Sequence, residues 1–144
     1  MNALRLFLVS SALTAFSPSL LAQKASAATN ITLNIGGSTL NATLTDSATT
    51  RAFLSLLPLT LTLENHGGTE KITYLPRKLS TTGAPAGSTP TAGTIAYYTP
   101  WGNLALFYKE FSYSAGLIVL GKLGSGLEIL RQPGKVKVTI TQRQ

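Results

Sequence analysis

The chain contains no cysteine. Disulfides, thiolate nucleophiles, cysteine zinc sites and lipid attachment through a thiol are therefore all excluded. Other reactive groups are scarce. There are five acidic residues, one histidine and one tryptophan in 144 residues. Charged residues make up 12%, about half the usual share of roughly 25%. No apolar run reaches the roughly 20 residues of a membrane-spanning helix. No internal repeat is present. Thirteen glycines and a hydrophobic share of 44% are what the chain does have. They suit one compact, β-rich domain with many turns.

Residues 1–27 differ from the remainder. A short, weakly basic start, Asn2 to Arg5, precedes the apolar run Leu6–Phe16, and Pro18 breaks that run. Ala25, Ser26 and Ala27 then offer small residues at the positions a signal peptidase inspects. The segment reads as a secretory signal cleaved after Ala27, with residues 28–144 as the mature domain. A secreted chain without cysteine suits a bacterial periplasm or exterior. Cleavage removes Arg5 and Lys24 and leaves ten basic against five acidic residues. The remaining basic residues are scattered and read as solvated surface, with no stripe for nucleic acid.

The mature chain alternates as strands do. Ile31, Leu33 and Ile35 share one face of the first strand. Gly36 and Gly37 follow, and two glycines permit the positive φ angles of a primed hairpin turn. Leu40, Ala42 and Leu44 line the return strand. Asp46 is placed to cap a helix over Ser47–Leu57 that Pro58 ends. Leu59, Leu61 and Leu63 alternate again. Glu70–Leu75 forms the next strand, with Ile72 and Tyr74 on one face. Pro76–Gly93 is long and irregular: a mobile loop, a cover over a site, or a spacer. Strands at Thr94–Tyr98, Asn103–Phe111, Leu117–Leu123 and Lys135–Thr141 complete the pattern, with a helical turn within Gly124–Leu130. About eight short strands and one main helix predict a small closed β-barrel.

The segment Tyr97–Phe111 holds six of the eleven aromatic residues and the only tryptophan. Thr99, Pro100, Trp101 and Gly102 fit a turn. Tyr98 then pairs with Asn103, and the two faces of the hairpin follow from alternation. Ile95, Tyr97, Leu104, Leu106 and Tyr108 form an interior face. Thr94, Ala96, Tyr98, Asn103, Ala105, Phe107 and Lys109 form the outer one. There two alanines between rings make a shallow trough with Trp101 at its tip. Either a ligand fills this trough or the Ser47–Leu57 helix packs into it. Glu64, His66 and Glu70 flank one turn, and their spacing is unspecific for a metal. No metal, cofactor or catalytic residue is assigned.

The segments ITLNIGGSTLNATLTDSATTRAFLSLLPLTLTL, KITYLP, GTIAYYTPWGNLALFYKEF and GLIVLGKL, in this order, resemble the cyclophilin-like domain family of small bacterial proteins. The resemblance covers Ile31 to about Ile140. It implies an eight-stranded barrel with helices at its ends and no assigned activity. True cyclophilins isomerise X-Pro bonds using an arginine beside an apolar aromatic pocket, and their Phe, His and Gln run around that arginine is absent here. Arg51 is the most suggestive arginine, on the expected helix. The leading expectation is a non-catalytic site for a small molecule or extended peptide at Tyr98, Trp101, Phe107 and Arg51. A proline isomerase for exported proteins is the alternative.

Overall fold

A computed structural model describes residues 27–144. The proposed signal and its cleavage point lie outside the described residues, apart from Ala27 itself. None of the described helices is long and apolar enough to cross a membrane.

Eight antiparallel strands close into a barrel. In chain order the elements are β1 (Thr29–Ile35), β2 (Ser38–Leu44), α1 (Ala48–Leu54), β3 (Leu59–His66), β4 (Glu70–Tyr74), β5 (Gly87–Ser88), β6 (Thr94–Tyr98), β7 (Asn103–Phe107), β8 (Ser114–Ala115), β9 (Leu117–Leu123), α2 (Leu127–Leu130) and β10 (Val136–Gln142). Around the barrel the order is β1-β10-β3-β4-β7-β6-β9-β2, while β5 and β8 form a separate two-stranded sheet. The expected barrel and its short second helix are both present.

Alternation sets the interior. Ile31, Leu33 and Ile35 from β1, Leu40, Ala42 and Leu44 from β2, and Val138 and Ile140 from β10 all point into one buried cluster. Gly36 and Gly37 have φ of 55° and 87°. That is the left-handed pair a two-residue primed turn requires, so the β1–β2 register is fixed at its tip.

The helix differs from expectation at both ends. Ser47, not Asp46, is its cap: the Ser47 hydroxyl accepts the Thr50 amide at 3.0 Å. Asp46 instead accepts from Arg51 Nη1 at 2.6 Å. The helix ends at Leu54, and the amides of Leu56 and Leu57 then bond back three residues, to Phe53 and Leu54. This tighter turn carries the chain to Pro58. Phe53 is fully buried, and Ala52, Leu54, Leu56 and Leu57 pack on the same interior cluster. The helix therefore covers the barrel interior. It leaves the outer face of the β6–β7 hairpin alone, so the proposed helix packing into the trough is overturned.

One further expectation needs correction. Lys71 does not belong to the solvated surface: it is fully buried. Its ammonium donates to Asn65 Oδ1 at 3.1 Å and to the Gly134 carbonyl at 3.0 Å. Desolvation lowers its pKa, because burial penalises the charged form. Pro76–Gly93, expected as a mobile loop, a cover over a site or a spacer, is tied to the barrel. Ser88 Oγ donates to the Leu117 carbonyl at 2.7 Å, and the buried Leu79 amide donates to the Tyr97 hydroxyl at 3.2 Å. β5 within this loop pairs with β8.

Candidate functional site

The β6–β7 hairpin has the register read from its turn. Tyr98 pairs with Asn103, Tyr97 with Leu104, Ala96 with Ala105 and Ile95 with Leu106. Gly102 closes the turn by donating to the Tyr98 carbonyl at 2.9 Å. A bulge does occur, between Ile95 and Ala96 in their pairing with β9, where Ile95 meets Gly121 and Ala96 meets Val119. The extra residue, Leu120, belongs to β9. The faces of β6 and β7 are unaffected. Ile95, Tyr97, Leu104, Leu106 and Tyr108 join the interior cluster. Ala96, Ala105 and Phe107 form a second cluster with Ile72 and Leu117, and Tyr98 packs against it.

This second cluster is the floor of a surface cavity of about 190 Å³. Ala105, Phe107 and Leu117 give it an apolar base, and Tyr98, Trp101 and Phe111 supply aromatic walls. Trp101 and Phe111 are roughly half exposed, at 49% and 48%. Large apolar rings gathered half exposed around one hollow are uncommon on a protein surface. The indole of Trp101 is held edge-on between two rings. Its centroid lies 5.5 Å from that of Tyr98 on the same hairpin and 5.2 Å from that of His66 on β3. Both geometries are the T-shaped arrangement that ring quadrupoles favour.

Three of the four expected residues therefore meet: Tyr98, Trp101 and Phe107 all line the cavity. Phe107 is only 2% exposed, so it is floor rather than wall. Arg51 is elsewhere, on α1 and bound to Asp46, and it does not line the cavity. No residue of Ser80–Gly93 lines it either. The segment after β7 does that instead, through Phe111 and Ser114.

Strand order brings in residues that local reading left out. β4 pairs with β7, setting Glu70 opposite Phe107, and β3 pairs with β4, setting His66 opposite Glu70. His66 and Glu70 thus reach the cavity from the far side of the trough. Glu64 stands opposite Ile72 and pairs with Lys135 at 3.7 Å. The Glu64, His66 and Glu70 set does not assemble, and among the described residues no group of three such side chains is placed to hold a metal.

Two polar features stand out. Asn103 is 2% exposed, lines the cavity, and its Oδ1 has no hydrogen-bond partner. Burial of Glu70 raises its pKa, and the charge of His66 pulls it part of the way back. A raised folded-state value means that ionised Glu70 opposes folding at neutral pH. That opposition is absent below the ordinary value of 4.5 and complete above the raised one. Glu70→Gln is therefore expected to raise the melting temperature near neutral pH. The gain should shrink as pH falls through the raised value and be gone below 4.5. Thermal melts of both proteins across that range check the sign.

Residues 33–141 match the cyclophilin-like family. The chain belongs to that family. No curated protein matches it. Among solved structures, a hypothetical protein of Archaeoglobus fulgidus, determined in solution, has a similar fold. The TM-score is 0.63 at 13% identity, over 84% of this chain and 99% of that one. At that identity the likeness concerns the fold alone. In this cyclophilin-like barrel the cavity is on the outer sheet face, formed by β4, β6, β7 and the ends of β3 and β9.

Proposed function

We propose that this cyclophilin-like domain is a non-catalytic binding module, and that its cavity takes one ring-sized group of a small molecule or extended peptide. The observation that carries the reading is Trp101, half exposed yet fixed edge-on by Tyr98 and His66 above an apolar floor. Size agrees. An apolar cavity of roughly 150 Å³ accepts a benzene ring, and this one measures about 190 Å³. The isomerase alternative lacks equivalent support. Cyclophilin catalysis calls on an arginine at the pocket, and no arginine lines this cavity.

Trp101 is the only tryptophan, so its emission reports this site alone. Toluene and short blocked peptides containing Phe or Pro are expected to shift or quench it saturably. Calorimetry on Trp101→Ala should then show weaker binding of the same probes. An unresponsive indole across the panel, or full affinity in Trp101→Ala, would remove the binding role.

A further inference from the structure

The cavity's polar groups are one-sided, and that restricts its occupant. Glu70 is the only carboxylate among its lining residues, with His66 opposite it; no lysine or arginine lines it. At the other end is Asn103, whose buried Oδ1 is an acceptor with nothing to accept. An orphaned buried acceptor costs stability. Rotation of the Asn103 side chain toward the cavity it lines would let a ligand donor relieve it. Asn103 and Phe107, the strand partner of Glu70, are four residues apart on β7. Strand rise separates their Cα atoms by about 13 Å. Both side chains stand off the same sheet face, so their reach leaves that along-strand span largely intact, and the span suits one ring with a substituent and a hydrogen bond at each end. Between the two acceptors lie Ala105 and the aromatic walls, a surface for a flat ring.

We propose that the occupant is a flat ring bearing N–H donors at opposite ends, one given to Asn103 Oδ1 and the other, on a cationic group, to the Glu70 carboxylate. This rests on the binding-module reading above. Aromatic walls favour a cation and tolerate a flat ring. The same lining offers a carboxylate no lysine or arginine, and Glu70, already opposite His66, would repel it.

The probe is p-aminobenzamidine, which has this donor pattern, titrated by calorimetry at neutral pH. Binding is expected, with 4-aminobenzoate at least about tenfold weaker. Asn103→Leu should weaken the probe by about tenfold while the melting temperature stays level or rises, because the mutation removes an unsatisfied buried polar group. Glu70→Gln should weaken p-aminobenzamidine more than the neutral 4-aminobenzamide. Equal affinity for the benzoate, undiminished binding in Asn103→Leu, or a large drop in that variant's melting temperature would each overturn the proposal. Toluene separates the two levels of the argument. If toluene binds and the amidine gains nothing over it, this proposal fails and the pocket survives; if neither binds, the pocket reading fails as well.

Discussion

Gly121→Ala should destabilise the domain by at least about 3 kcal/mol, the upper end for forcing an atom into a packed interior. Gly121 is opposite Leu44 on β2 and opposite Ile95 on β6, next to the bulge at Leu120. A Cβ there would run into the Thr43 carbonyl oxygen and come within 2.7 Å of Leu44 Cα. Both obstacles are backbone. A flexible side chain could swing aside, but a paired strand can move only by breaking its ladder. β2 and β9 share just three residue pairs, Ala42 with Leu123, Thr43 with Lys122 and Leu44 with Gly121. The substitution therefore strikes one of the two shortest seams of the ring, β3–β4 being the other. Thermal melting and urea titration of the purified variant check this, and a melting temperature within a few degrees of the parent would refute it.

Phe53→Ala is expected to cost about 3–5 kcal/mol, the usual loss for a large ring removed from a core. Phe53 is fully buried and is the part of α1 set deepest in the interior cluster. Its neighbours are held by strands on one side and by the turn to Pro58 on the other, so the cavity left behind cannot fully collapse. Phe53→Leu keeps most of the volume and should lose far less. Chemical denaturation of the pair checks the order, and equal losses would show that the ring's shape, rather than its bulk, matters.

How far the sequence reaches depends on whether a residue's environment is local. The β6–β7 hairpin was legible because its turn chemistry sets its register, and the register alone assigns each side chain to a face. Gly36 and Gly37 were legible for the same reason. The helix cap was ambiguous, since Asp46 and Ser47 are both good caps one residue apart. The structure gives the capping bond, Thr50 amide to Ser47 hydroxyl, to Ser47 and leaves Asp46 to pair with Arg51. Lys71 reads as solvated surface in the sequence because β4 reverses the usual pattern. Its charged and polar residues, Lys71 and Thr73, point into the barrel, while Ile72 points outward into the second cluster. Outward apolar residues look interior when the outer face is itself covered. His66 and Ser114 reach the cavity through pairings distant in sequence, which no short window contains, while Phe111 does so through the path of the chain after β7. Asn103 was placed on the correct face, but its burial without a partner is a property of the assembled site.

The first and last barrel strands are neighbours, with Ile31 paired to Gln142, and the Arg143 amide donates to the Asn30 carbonyl at 2.9 Å. The ring is thus almost continuous in sequence as well as in space. A few added residues would join its ends, and a new opening at the exposed tip near Thr82 would leave every barrel pairing intact. Circular permutation therefore offers a way to move the termini of this domain to another part of its surface without disturbing the face that holds Trp101.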